Sequence, residues 1–188
     1  MDLTLQLWAG VFYLTNKILF SLAEGKSAEL KRTMKTAGWV VYLLGVPAWV
    51  ILLVGKHNWI AASIEAGGIP AMLLGLYNAL YGHNAAKWFY NHLVSFLTYA
   101  FIVFGISYSF YEFGGIKTLS QGFELAVMVG FLLGGYFLAR GNLKGWLFFM
   151  LMNLSMGSLM LLQGKTLLAV QQMISLVFVV YGFVSALS

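Results

Sequence analysis

Gly38–Gly55 reads GWVVYLLGVPAWVILLVG, and Gly145–Leu162, 107 residues further on, reads GWLFFMLMNLSMGSLMLL. Without a gap the register carries on beyond the shared Gly-Trp pair. It sets Leu44 on Leu151, Leu52 on Leu159, Ala62 on Ala169, Gly75 on Gly182, Ala79 on Ala186 and Leu80 on Leu187. It also sets the acidic Glu65 on the amide Gln172. A hydrophobic chain whose second half echoes its first in the same order is the mark of a duplicated transporter fold.

Composition narrows the class. Of 188 residues, 61% are hydrophobic and 9% charged, against about 25% charged in a soluble domain. Several runs exceed the roughly 18 apolar residues that mark a membrane crossing. An all-α integral membrane protein is the reading. With no cysteine in the chain, disulfide and thiolate chemistry are excluded. The opening Met1-Asp2-Leu3-Thr4 has no basic leader, so the first apolar run is expected to be a retained span rather than a signal peptide. The net charge of +5 sits in short loops and is no nucleic-acid footprint.

Seven spans are predicted: Leu3–Ala23, Thr36–Val54, Trp59–Tyr81, Phe89–Tyr111, Gln121–Ala139, Trp146–Leu162 and Thr166–Leu187. Pro47 can kink the second, and Pro70 falls inside the third. Runs of this length cross about 30 Å of hydrocarbon at 1.5 Å per residue, whereas barrel strands would be near ten residues and alternate in polarity. Lys26, Lys31, Arg32, Lys35, Lys87, Arg140 and Lys144 lie in loops on one side, with Lys17 near that end of span one. Lys56, Lys117 and Lys165 lie on the other. That bias places the N-terminus outside and the C-terminus in the cytoplasm.

The echo then has a topological meaning. Spans two and three repeat as six and seven, and span one repeats as five, where Ala23-Glu24-Gly25 meets Ala139-Arg140-Gly141. Residues 1–82 form a first three-helix repeat, 83–117 a linker helix, and 118–188 a second repeat. Four crossings separate equivalent positions, so the repeats are parallel, a three-plus-one-plus-three plan like that of the SWEET transporters.

Polar residues within the spans are the candidate substrate contacts, because lipid penalises them. Glu65 reads as a substrate or proton contact in a central cavity, or as an interfacial residue near the outer mouth partnered by water or Lys56. Gln171 and Gln172 point about 100° apart on a helix, and the register favours Gln172 for the cavity. Trp146, Phe149 and Asn153 share one helix face, where rings could stack on a planar heterocycle and the amide read its edge; Trp146 alone could equally be an interface anchor. Tyr13, Asn16, Tyr77, Asn78, Asn91 and His92 could line a pore mouth. The pairs Gly67-Gly68 and Gly134-Gly135, with Gly75, read as close-packing positions.

No catalytic constellation is expected. His57, His83 and His92 lack metal-ligand spacing, and the chain has no GxSxG elbow, HExxH or P-loop. The protein is read as a non-enzyme without cofactor or metal, and any driving force comes from a gradient, a partner or trapping of the substrate.

Phe131–Phe183, FLLGGYFLARGNLKGWLFFMLMNLSMGSLMLLQGKTLLAVQQMISLVFVVYGF, resembles the Pnu-type vitamin transporters, best known for nicotinamide riboside uptake. The shared order is a span closing on Leu-Ala-Arg, a short basic loop, Trp146 opening the next span, Asn153 seven residues on, the Gly164 turn and the late Gly182. Phe149 stands where the family usually has a second tryptophan. The resemblance implies a seven-span, SWEET-like fold in the bacterial inner membrane. It also implies facilitated diffusion of a vitamin precursor such as nicotinamide riboside, with Trp146, Asn153 and Gln172 in the cavity. The expected partners are a small-molecule substrate and the lipid bilayer, without nucleic acid; a homo-oligomer stays open. The alternatives are a sugar transporter of the same plan and a non-transporting membrane subunit, with an intramembrane enzyme third.

Overall fold

The computed structural model describes residues 2–55, 59–82 and 85–187. Lys56, His57 and His83 lie outside them, and with them the Lys56 partner considered for Glu65. The described residues form eight helices: α1 (Asp2–Ala23), α2 (Ala28–Gly55), α3 (Trp59–Gly67), α4 (Ile69–Tyr81), α5 (Trp88–Phe113), α6 (Leu119–Ala139), α7 (Lys144–Leu162) and α8 (Thr166–Leu187). Among the described residues, six helical stretches are long and apolar enough to cross a membrane: α2, Ile60–Tyr81, α5, α6, α7 and α8. α1 has the length, but Gln6, Asn16 and Lys17 dilute its apolar run. The chain has the architecture of a multi-pass membrane protein. Leu7, Ile51, Phe96, Val103, Leu154 and Val177 face outward, as hydrocarbon rather than water requires.

Local chemistry sets the helix ends. Thr118, in extended conformation, accepts the Gln121 N–H at 3.2 Å to start α6, and Gln121 Oε1 accepts the Lys117 N–H at 3.0 Å. This is close to a capping box. α1 and α6 stop the same way, at Gly25 (φ 72°) and Gly141 (φ 65°), left-handed positions where a side chain would strain the backbone.

The third predicted span is not one helix. It breaks at Gly68 into α3 and α4, with Pro70 in the first turn of α4. Pro70 has no N–H to donate back to Ala66, and its ring crowds that carbonyl. The glycines admit bulky neighbours: a Cβ on Gly67 would meet the Phe101 ring at 2.6 Å, and one on Gly68 the Phe131 ring at 2.6 Å. Pro47, by contrast, lies inside an unbroken α2.

Six rods close into a ring. α1 packs on α2, α2 on α3 and α4, α4 on α6, α6 on α7, α7 on α8, and α8 back on α1. α5 stands outside, against α3, α4 and α6. The α8–α1 seam is tied by Ser21 Oγ donating to the Phe178 carbonyl at 2.5 Å and Gln171 Nε2 donating to the Gly10 carbonyl at 2.9 Å.

Equivalent contacts recur at the 107-residue step. Trp39 lies on Gly75, where a Cβ would come within 2.2 Å of the indole, and Trp146 lies on Gly182, at 2.5 Å. The other paired positions share a burial state. Leu52 and Leu159 are buried, as are Ala62 and Ala169; Leu44 and Leu151 face outward, as do Leu80 and Leu187.

Candidate functional site

Lys17 lies inside the ring. The sequence counts it with the charges of one membrane face, but its side chain is 2% exposed, and its position six residues before the end of α1 puts it about 9 Å along the axis from that end. Its ammonium sits 3.5 Å from the Phe149 ring centroid and 4.4 Å from that of Tyr42, and it donates to Asn16 Oδ1 at 3.1 Å. The two rings, 6.5 Å apart and inclined at 61°, come from α2 and α7 on different sides of the ring. The same 107-residue step separates Tyr42 from Phe149. Asn16 is fully buried and spends its amide on the Gly38 carbonyl at 3.1 Å, which fixes its oxygen toward Lys17.

One turn back along α1, Tyr13 donates its hydroxyl to Glu65 Oε2 at 2.6 Å. Tyr13 lies halfway along α1, so this bond holds Glu65 at mid-depth, three residues before the Gly68 break. The Tyr13 ring meets Tyr42 edge-on at 5.0 Å and Trp49 at 6.0 Å. Lys17 and Tyr13, four residues apart, share a helix face. Among the described residues no ion-pair contact joins Lys17 to Glu65; the ion pairs are those of Glu24 with Lys31 and Lys35.

The energetics of this centre are finely balanced. Burying an ion costs several kcal/mol. Each aromatic face returns about 2 kcal/mol to a desolvated cation, and the Asn16 oxygen adds roughly 1.5–3 kcal/mol. Lys17 is therefore held without an ion pair, by groups that would hold another cation equally well.

Asn153 is fully buried. Its amide donates to the Phe149 carbonyl at 2.7 Å, while Oδ1 has no partner. Trp49 Nε1 is likewise buried and unpaired. A buried acceptor and a buried donor without partners each cost about 1–3 kcal/mol, so both call for an explanation beyond packing.

The ring therefore brings together Tyr13, Asn16, Glu65 and Phe149 of the sequence candidates, with Asn153 one turn from Phe149. The others serve elsewhere. Trp146 is buried against Gly182. Gln172 lies half-buried with its Cβ 3.6 Å from the position a side chain on Gly157 would take, whereas Gln171 reaches α1. Asn78 ties α4 to the Ala139 carbonyl of α6 at 3.0 Å and accepts the Ala86 N–H at 3.2 Å. Asn91, at the start of α5, donates to the Ala86 carbonyl at 2.9 Å, and its Oδ1 is, like that of Asn153, buried without a partner. Tyr77 and His92 are exposed, their rings tilted against those of Tyr81 and Trp88.

Sequence reasoning passes over Lys17, Tyr42 and Trp49. The signal for Lys17 was present, since an ionisable residue inside an apolar run is a functional candidate by default; its nearness to a span end disguised it. No family model matches this chain, and no curated protein and no solved structure matches it.

Proposed function

We propose that the protein is a transporter that carries a small ring-containing nutrient across a bacterial inner membrane by alternating access. The observation that carries this reading is the polar centre of the ring: Lys17, Glu65 and the unpaired Asn153 oxygen, surrounded by Tyr13, Tyr42 and Phe149. A charged group at mid-membrane costs on the order of 2.5–3.5 kcal/mol, and packing alone could be had more cheaply with leucine.

Two further features favour it. The recurrence of the Trp–Gly contact and of paired burial at 107 residues supports a duplicated three-plus-one-plus-three plan. In that plan α1 is the seventh crossing, α3 and α4 together are one crossing, and α5 is the linker. The broken helix beside Glu65 supports a solute site, since interrupted helices line such sites in transporters. The loop charges, with Lys17 removed from the tally, still favour a cytoplasmic C-terminus. Among ring-containing nutrients, the resemblance of Phe131–Phe183 to the Pnu-type transporters favours a vitamin precursor such as nicotinamide riboside, moving by facilitated diffusion.

Proteoliposome uptake of labelled nicotinamide riboside, thiamine and riboflavin tests the reading. At least one should enter faster than into empty liposomes. Asn153→Leu should abolish that uptake and the binding behind it while the protein still inserts. Unchanged affinity in Asn153→Leu removes Asn153 from the site, and no uptake of any ring compound or sugar removes transport.

A further inference from the structure

We infer that Lys17 determines the charge selectivity of this site by occupying it: in the empty protein its ammonium fills the cleft that a cationic ring takes when solute binds. The inference rests on the transporter reading and deepens it. The cleft is made of two aromatic faces at 3.5 and 4.4 Å from the ammonium and of the Asn16 oxygen at 3.1 Å. The ring faces and the Asn16 oxygen recognise positive charge, and the bond from the Asn16 amide to the Gly38 carbonyl keeps that oxygen turned toward the ammonium. Near them lies an unpaired acceptor, Asn153 Oδ1, one turn from Phe149. A cleft with these walls is complementary to an organic cation that carries an N–H, and it already holds one that is tethered to the chain.

The tethered cation has somewhere to go. Tyr13 is one turn from Lys17 on the same face of α1 and holds the Glu65 carboxylate at 2.6 Å. A change of rotamer along the four-carbon lysine stem would bring the ammonium from the rings toward that carboxylate. The solute cation would then lie over Phe149 and Tyr42 while Lys17 pairs with Glu65. Lys17 thus taxes every cation that binds, because only the fraction of protein with the cleft vacated is competent. Neutral rings, which gain less from the two faces, carry that tax alone, whereas a cation also meets the repulsion of the displaced ammonium nearby.

Three pyridines of similar size and different charge test this on the full-length protein in detergent: 1-methylnicotinamide (cation), nicotinamide (neutral) and nicotinate (anion). Equilibrium binding is compared between wild type and Lys17→Met. Removing the competitor should tighten 1-methylnicotinamide by about tenfold or more, the factor expected if the cleft is occupied some nine-tenths of the time. Nicotinamide should tighten by less, and nicotinate should not bind better. Cation affinity that is unchanged or weaker in Lys17→Met overturns the inference, as does loss of nicotinate binding, which would make Lys17 an anion ligand. Absence of cation binding in both proteins overturns it too. Lys17→Gln, which keeps a polar head for Asn16, repeats the test. If neither variant inserts, Phe149→Leu in the wild-type background should weaken the cation more than nicotinamide, and equal losses count against the idea. Uptake by the wild type, run alongside, reports on transport separately.

Discussion

The two halves of this molecule are packed alike and charged differently. α1 to α4 and α6 to α8 each set a tryptophan from a second rod on a glycine of a third, Trp39 on Gly75 and Trp146 on Gly182. Each contributes an aromatic ring to the centre, Tyr42 and Phe149. Yet the first half holds Asn16, Lys17 and Glu65, and the positions matching them in the second are Leu132, Leu133 and Gln172. The first half is broken at Gly67-Gly68, with Pro70 beyond; the second carries Ile174-Ser175 and Val177 there and α8 runs straight through. Architecture constrains the shared features. The unshared ones have no packing counterpart, and they gather around one point of the ring.

The comparison can be broken most directly at the tryptophans. Trp39→Ala and Trp146→Ala should each cost about 3–5 kcal/mol, read as loss of unfolding free energy in detergent. Losses that differ by more than about 2 kcal/mol would mean that the two contacts are not equivalent. Next in size is the charge difference. Glu65→Gln keeps an acceptor for Tyr13 but removes the carboxylate, and should lower solute uptake by about tenfold or more. Gln172→Leu should change it by less than about threefold, since an interhelical amide bond averages about 0.6 kcal/mol. Comparable losses from both would return the two halves to equal standing.

The smallest effect is at the end of α1, where Glu24 has Arg140 as its counterpart. Burial pushes the Glu24 carboxyl up, but Lys31 at 2.5 Å and Lys35 at 2.9 Å outweigh it and hold the group below the usual carboxylate range. A depressed folded-state pKa contributes stability that is present above the ordinary glutamate value and is lost as pH falls through the folded one. Wild type should therefore lose about 1 kcal/mol more than Glu24→Gln between about pH 6 and pH 3. An equal loss in the two proteins would leave the ion pairs without weight.

Much of this was readable in advance, and the unreadable part has physical causes. Uniform hydrophobicity marks the helices, and the Gly38-Trp39 and Gly145-Trp146 echo marks equivalent packing, because an indole needs a glycine to lie on and both appear at fixed separation. Asn153 and Glu65 stand out because few polar groups survive in lipid. The role of Lys17 depends on Phe149 and Tyr42 arriving from two other helices, which no local pattern records. The break at Gly68 follows from Pro70, which the sequence shows, but the Phe101 and Phe131 rings that lie over Gly67 and Gly68 come from α5 and α6 and leave no local trace. Asn78 looks like a pore residue in one dimension, but both ends of its amide are met by backbone groups in three.

The seam between α8 and α1 has a consequence for biosynthesis. α1 is made before α7 and leaves the ribosome with Asn16 and Lys17 already within it, while Phe149, whose ring takes the lysine charge, follows 132 residues later. Until α7 packs into the ring, α1 holds that cation with only half its aromatic cradle built. During synthesis α1 must therefore rely on α2, which brings Tyr42, until α7 arrives to complete the enclosure.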